Sequence, residues 1–244
     1  MRAMIFAAGL GTRLKPLTDT QPKALIEIGG QTLLERLIVK LRNAGINDIV
    51  VNVHHFPDMI INYLNANNGF GTNWAVSDER DRLLETGGGL KKAQPLLSDC
   101  CEPILVHNVD IISNLDFQQL INAHQPDRLA TLVVSRRDTQ RYFLFDNNLR
   151  LCGWTNKATG EIRPNDTTVN NKIVNELAFS GIQVVSQRIF NEMADFGDKF
   201  SITELYLQKC GTNLIKGYVP QDYKMMDVGK INQLEQAEIF TKNI

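Results

Sequence analysis

The stretch Ala3-Met4-Ile5-Phe6-Ala7-Ala8-Gly9-Leu10-Gly11-Thr12-Arg13-Leu14 decides how the chain is read. Ala3 to Ala7 is an apolar run of strand length with no polar alternation, as expected of a strand covered on both faces. It breaks at Gly9 into a loop with two glycines. Glycines there permit positive φ and let backbone N–H groups approach an anion. In open α/β sheets, ligands sit outside the carboxyl ends of strands, where this loop falls. It is not the dinucleotide pattern, because Leu14 takes the third glycine position of G-x-G-x-x-G. Nor is it a P-loop, which ends in Gly-Lys-Ser/Thr. Taken alone, a G-x-G after a strand is equally an ordinary tight turn. Arg13 and Lys23 place two cations near the same strand end, and a glycine loop with fixed cations suits a triphosphate.

Working outward, residues 31–44 carry Leu33, Leu34, Leu37, Ile38 and Leu41 at helical spacing, with Gly45 where a C-terminal cap belongs. Residues 48–53 read as the next strand, followed by a helix striped with Met59, Ile60, Tyr63 and Leu64. Trp74-Ala75-Val76 is a short strand and residues 90–97 a short helix. Ile104-Leu105-Val106-His107 is a further strand, stopping at Asn108-Val109-Asp110. This alternation implies right-handed crossovers and a parallel sheet, a doubly wound α/β architecture.

The second half is less regular. Residues 129–134 read as a strand, and 142–146 with 149–154 as a hairpin around Asn147-Asn148. Residues 155–175 form a polar loop of a length that is usually functional or mobile. Strand signals return at 178–185 and 214–219, with helices at 187–195, 201–209 and 232–242. No repeat or linker divides the chain. One domain over residues 1–244, with a small inserted lobe on the substrate side, is expected.

Composition sets the bounds. The 244 residues carry 26 Lys+Arg against 27 Asp+Glu, and 43% are hydrophobic, which excludes disorder and fibrous repeats. A near-neutral balance argues against a nucleic acid or an anionic membrane as partner. No stretch approaches the roughly 18 uninterrupted apolar residues of a membrane span, so a soluble protein is expected. Cys100, Cys101, Cys152 and Cys210 show no C-x-x-C spacing, and reduced thiols in a cytoplasm are the simplest reading. The apolar run after Met1-Arg2 is too short for a secretory signal.

The string Gly9-Leu10-Gly11-Thr12-Arg13-Leu14-Lys15-Pro16-Leu17-Thr18, then Gln21-Pro22-Lys23-Ala24-Leu25, resembles the signature of the nucleoside-triphosphate sugar-1-phosphate nucleotidyltransferases, G-x-G-x-R-L-x-P-L-T…P-K-x-L. Leu84-Glu85-Thr86-Gly87-Gly88-Gly89-Leu90 looks like that family's base-binding segment. Asp227-Val228-Gly229 resembles its D-V-G-T-P, with Lys230 in place of Thr. The matches run in the expected order along essentially the whole chain. The Glu-Thr-Gly-Gly-Gly form looks most like the N-acetylmuramate 1-phosphate uridylyltransferase branch.

The resemblance implies a Rossmann-like, mostly parallel sheet of the GT-A-like nucleotidyltransferase kind, its nucleotide-binding half at 1–125 and its sugar-phosphate half at 126–244. It implies transfer of a nucleotidyl group from an NTP to a sugar 1-phosphate, with release of pyrophosphate. Asp110 and Asp227 are implied to hold Mg²⁺, which prefers hard oxygens and one or two carboxylates. Read on its own, an aspartate after a buried strand is more often a turn or helix-cap residue. Two carboxylates so far apart in sequence meet only if their strands are neighbours in the sheet. Arg13 is assigned to the β- and γ-phosphates and Lys23 to the α-phosphate or sugar phosphate. Ala8, Gly9, Gly11, Thr12, Glu85, Thr86, Gly87, Gly88 and Asn108 are expected to border the nucleotide. The backbone groups of Ala8-Gly9 and of 85–88 are expected to select a pyrimidine, UTP first. Asn156, Lys157, Ser180 and Gly181 are expected to border the sugar phosphate.

Two departures stand out. Val109 precedes the first aspartate where the family has Gly, and a β-branched residue cannot copy a strained glycine conformation. Asn156 replaces a Glu that commonly accepts from a sugar hydroxyl. Elsewhere, His54-His55 read as strand-end residues, His107 as a candidate nucleotide contact, and Trp154 and Phe179 as core. Acyl transfer has no support, because no Ser sits in a G-x-S-x-G elbow. Rival readings are a choline-phosphate cytidylyltransferase, a heptose 1-phosphate guanylyltransferase, or a catalytically silent nucleotide-sensing subunit. A silent relative is expected to have lost a metal carboxylate or the loop arginine. The sequence leaves monomer and homodimer both open.

Overall fold

The N-terminal apolar run becomes β1 (Arg2–Phe6), which pairs in parallel with β4 (Asp48–Val53) on one side and β6 (Ile104–Asn108) on the other. β5 (Asn73–Asp78) continues the parallel set beyond β4. Successive β1 residues point to opposite faces. Ala3, Ile5 and Ala7 join one core layer, and Met4 and Phe6 the other. The first layer is closed by α1 (Leu33–Asn43), α2 (Pro57–Ala66), α5 (Phe117–Ala123) and α8 (Leu234–Thr241). The second is closed by α3 (Glu85–Lys92), α4 (Gln94–Leu97), α6 (Ile189–Glu192) and α7 (Ile202–Lys209). Helices on both faces make the architecture doubly wound, as expected. The structure, a computed structural model, describes residues 1–98, 101–163 and 175–244.

Local chemistry explains the element ends. The Thr32 hydroxyl accepts from the Glu35 amide at 3.0 Å, capping α1, and the helix is left through Gly45 at φ +81°. Two-residue strands β2 (Glu27–Ile28) and β3 (Gln31–Thr32) pair just before it, so the helix starts two residues later than the spacing suggested. The Ser201 side chain caps α7 by accepting from Thr203 and Glu204 amides.

The second half widens the same sheet with antiparallel strands. β12 (Asn175–Val185) lies antiparallel to β6 through Ile182–Val185 and to β8 (Ala130–Ser135). β9 (Arg141–Phe145) and β10 (Leu151–Asn156) form the expected hairpin, and β13 (Ile215–Tyr218) adds in parallel to β8. The expected 155–175 loop contains β11 (Glu161–Arg163), paired to β10; residues 164–174 and Cys100 lie outside the described residues. A separate two-stranded ladder joins β7 (Ile111–Ser113) to β14 (Met225–Asp227). The helix expected at 90–97 differs most. It begins at Glu85, takes all three glycines into its first turns, and is followed by α4. Among the described residues, no helix is long and apolar enough to cross a membrane.

Candidate active site

The loop after β1 is shaped by one glycine. Gly11 sits at φ +63°, and a Cβ there would lie 2.7 Å from Thr18 Cγ2. The Thr18 hydroxyl donates to the Gly11 carbonyl at 2.9 Å, pinning the turn from below. The single 3-10 turn Thr12–Leu14 follows, with Leu14 buried as its anchor while Thr12 and Arg13 face outward. A second 3-10 turn spans Leu17–Asp19, and Lys23 opens a third and is buried, with only 8% of its surface exposed. A buried ammonium needs a counter-charge, and the Asp110 carboxylate supplies it through a hydrogen-bonded ion pair.

Asp110 and Asp227 do meet, but not as neighbours in the main sheet. Asp110 turns from β6 into β7, and the β7–β14 ladder places Ile111 opposite Asp227. The Val228 amide donates to the Asp110 carbonyl at 2.9 Å, locking the two segments together. Lys23 Nζ stands 4.0 Å from Asp227 Oδ1. That oxygen is buried and has no hydrogen-bond partner. Burial, followed by the neighbouring Asp110 charge, raises the Asp227 carboxyl above the usual carboxylate range, while Lys23, Arg13 and Arg137 pull it back. Gly229 completes the group, since a Cβ there would come within 2.9 Å of both Arg13 Nη2 and Asp227 Oδ1. Val109 needs no glycine conformation. Its φ is not positive, its side chain is buried, and its amide donates to the Phe6 carbonyl.

These residues suit a hard divalent cation. They offer two carboxylates, one oxygen of which is unpartnered, and the ion pair already holds one cation between them. Among the described residues, no group of three or more His, Cys, Asp or Glu is placed to hold a metal ion, so a metal here would draw its remaining ligands from water and phosphate.

Beside this group opens a cleft of about 160 Å³ lined by Phe6, Ala7, Gly9, Lys23, Thr86, Asn108, Val109 and Asp110. The expected residues Gly9, Thr86 and Asn108 therefore share one cleft with Lys23 and Asp110. Gly181, at φ +72°, abuts Asn108, because a Cβ there would fall 2.5 Å from Asn108 Nδ2. Ser180 is buried, with its hydroxyl beside the Tyr223 hydroxyl. Asn156 and Lys157 lie on the β10 ribbon. The Asn156 carboxamide oxygen accepts from the Ala158 amide, and Lys157 pairs with Glu176 at 2.6 Å. No hydrogen bond or ion pair links either residue to the aspartates among the described residues.

The glycine triplet requires a correction. Gly87 and Gly88 are helical, and both amides donate to the Phe200 carbonyl, at 2.9 and 3.1 Å. A Cβ on Gly87 would strike the Phe200 ring at 2.4 Å, and one on Gly88 the Asp198 carbonyl oxygen at 2.0 Å. These glycines admit the chain at 198–200, not an open ring-binding loop. The Ala8 amide is also engaged, donating to Asn52 Oδ1 at 3.3 Å. Glu85 is exposed at φ +63°, while the Thr86 hydroxyl accepts from the Ile202 amide at 3.0 Å. His107 also differs from the reading as a nucleotide contact. It is 1% exposed, packs edge-on against Phe117, and burial pushes its pKa down to about 3. His54 and His55 are strand-end residues as expected, contacting the carbonyls of Glu79 and Thr18.

Three residues went unnoticed in the sequence. Asn52 and Glu79 lie buried behind the cleft, and Arg137 donates to the Phe179 carbonyl within electrostatic reach of Asp227. A polar residue inside the apolar run Ile49-Val50-Val51-Asn52-Val53, at the ligand end of a parallel strand, was an available signal for the first of them.

A glycine loop, two carboxylates, the buried Lys23 and the exposed Arg13 thus gather around one cleft, a lining whose positive charge and backbone N–H groups suit an anion. The nucleotidyl transferase family model matches residues 2–145, more than half of the chain, and the chain belongs to this family. It is 31% identical to the N-acetylmuramate alpha-1-phosphate uridylyltransferase of Caulobacter vibrioides over 229 residues, 90% of this chain and 88% of that one. It is 41% identical to the enzyme of the same name from Neisseria meningitidis over 117 residues, 48% of this chain and 50% of that one. A putative glucose-1-phosphate thymidylyltransferase from Bacillus anthracis shares the fold with a TM-score of 0.83, covering 100% of this chain and 96% of that one at 17% identity.

Proposed function

We propose that this nucleotidyltransferase transfers a uridylyl group from UTP to a sugar 1-phosphate of the N-acetylmuramate type, with Mg²⁺, in the cytoplasm. The observation that carries the reading is the buried Lys23 held between Asp110 and Asp227 at the mouth of the nucleotide cleft. The choice of UTP and of an amino-sugar acid rests on the similarity to the Caulobacter enzyme across nearly the whole chain.

The acceptor phosphate needs no general base, since its second pKa is near ~6 and it is mostly a dianion at pH 7. One of its oxygens bonds to the α-phosphorus as the bond to the departing pyrophosphate breaks. Anion repulsion is the main obstacle, so positioning and charge neutralisation dominate. Lys23 lies closest to the reacting centre and faces the α-phosphate. Arg13, supported by Gly229, faces the β- and γ-phosphates. Asp110 and Asp227 would hold Mg²⁺, which supplies charge neutralisation on the triphosphate when bound. Gly9, Gly11 and Thr12 carry the phosphate loop, and Thr86 and Asn108 border the nucleoside. Ser180 and Gly181 border the acceptor, with Asn156 and Lys157 further out along the ribbon. On this reading residues 1–125 supply the nucleotide side and 126–244 the acceptor side of one domain.

Pyrophosphate release with each of the four NTPs against N-acetylmuramate, glucose, mannose and heptose 1-phosphates, and choline phosphate, tests the proposal. UTP with the N-acetylmuramate ester is expected to lead in kcat/KM, by about 10²-fold or more over the wrong base. Comparable values for UTP and GTP would overturn the uridylyl assignment.

A further inference from the structure

We propose that Asn52 and Glu79 are positioning residues, a buried carboxamide–carboxylate brace that sets the distance between the two walls of the nucleotide cleft. The inference rests on the reading of that cleft as the nucleotide site. Glu79 has no exposed surface and Asn52 has 2%, so neither touches a ligand directly. Asn52 Oδ1 accepts from the amides of Ala7 at 2.7 Å and Ala8 at 3.3 Å. Its Nδ2 donates to Glu79 Oε1 at 2.6 Å, and Glu79 Oε2 accepts from the Leu84 amide at 3.0 Å. One continuous set of hydrogen bonds therefore runs from the phosphate-loop wall, through the ends of β4 and β5, to the residue that leads into α3. Ala7, at one end, lines the cleft, and so does Thr86, two residues beyond Leu84 at the other end.

The third glycine of the triplet belongs to this device. A Cβ on Gly89 would lie 2.7 Å from Glu79 Oε1 and 2.9 Å from Asn52 Nδ2. Only glycine lets α3 rest on the pair. A buried carboxylate is costly to desolvate, and an apolar pair would fill the same space more cheaply. It would also leave the Ala7, Ala8 and Leu84 amides without these acceptors. The polar pair is the arrangement that both fills the gap and dictates where the amides must stand. Small displacements of a substrate-positioning wall have large kinetic consequences.

The donor–acceptor order yields a test by reversal. Asn52→Asp alone sets a carboxylate oxygen against Glu79 Oε1. Glu79→Gln alone turns an amide N–H toward either Asn52 Nδ2 or the Leu84 amide. Asn52→Asp combined with Glu79→Gln reverses the central hydrogen bond and satisfies every group again, with the net charge unchanged.

Binding of UTP, GTP, CTP and ATP in the presence of Mg²⁺ is measured by calorimetry, with KM for nucleotide and acceptor measured separately and folding checked by circular dichroism. Each single variant is expected to weaken nucleotide binding about tenfold or more, the scale of one disrupted buried hydrogen bond. The acceptor KM is expected to stay within about twofold, and the double variant to recover nucleotide affinity to within about threefold. Folded single variants with unchanged nucleotide affinity would overturn the brace. So would a folded double variant that fails to recover, or a double variant that does not fold. If the single variants do not fold, a folded double variant with normal nucleotide affinity upholds it. Wild-type protein that binds no NTP defeats the functional reading and the brace together, whereas normal wild-type binding with unaffected variants defeats the brace alone.

Discussion

The Lys23 ammonium is hydrogen-bonded to the Asp110 carboxylate across 87 residues of chain, in a pocket where the lysine side chain is 9% exposed. A buried ion pair contributes little net stability, and breaking it by removing one partner leaves an uncompensated charge. The pair therefore makes more sense as a device for reaction than for folding. It keeps a cation beside two carboxylates that would otherwise repel each other.

Asp110→Asn and Asp227→Asn are each expected to abolish Mg²⁺-dependent turnover while the far-UV circular dichroism is unchanged. Either change removes half of the protein's carboxylate donors and leaves charge on the phosphates uncompensated. Near-normal kcat for Asp227→Asn at saturating Mg²⁺ would show that the two-carboxylate site is misassigned.

Lys23→Ala is expected to lower kcat about 10²–10³-fold, the range seen on losing one charge-stabilising group. It also removes the cation that competes for Asp110, so Mg²⁺ should bind the free protein more tightly, as read by calorimetry. An effect confined to the nucleotide KM would instead assign Lys23 to ground-state binding.

Gly88→Ala tests the corrected reading of the triplet. Its Cβ would lie 2.0 Å from the Asp198 carbonyl oxygen, a backbone atom that cannot swing aside. Overpacking of this kind costs roughly 1–3 kcal/mol, so the urea midpoint should fall. The ranking of the four NTPs should stay the same. A variant with normal stability and an altered base preference would return this glycine to the base-binding role.

Acid sensitivity follows from His107. Its pKa is pushed down to about 3 by burial, whereas the unfolded chain has the ordinary value of 6.5. Between those values the unfolded state binds more protons, so stability falls as pH drops through the window, by about 1.4 kcal/mol per unit from this group. His124, lowered to about 4, acts in the same sense. Urea melts at pH 7, 6 and 5 are expected to show a flatter slope for His107→Leu. An unchanged slope would remove His107 from the account.

Periodicity and strand-end position made much of the fold readable. β4 falls on residues 48–53 as expected, and the hairpin of β9 and β10 forms around Asn147-Asn148. These elements are specified locally, by alternation, turn residues and caps. The α3 start was misread for an equally physical reason. Three consecutive glycines are poor helix formers, and nothing near them in sequence announces that Phe200 and Asp198 will press against their Cα atoms. His107 was misplaced because β6 alone does not reveal which face its alternate residues will take.

By itself the sequence determined the glycine loop, its two cations, two strand-end aspartates and the order in which they follow one another, because each depends on a few adjacent residues. Only the tertiary structure decided that Asp227 reaches Asp110 through the β7–β14 ladder, that Lys23 fills the space between them, and that Asn52 and Glu79 join the cleft walls. Those contacts depend on strand order and on which buried polar groups must find partners once water is excluded. That requirement exists only after the chain has closed on itself.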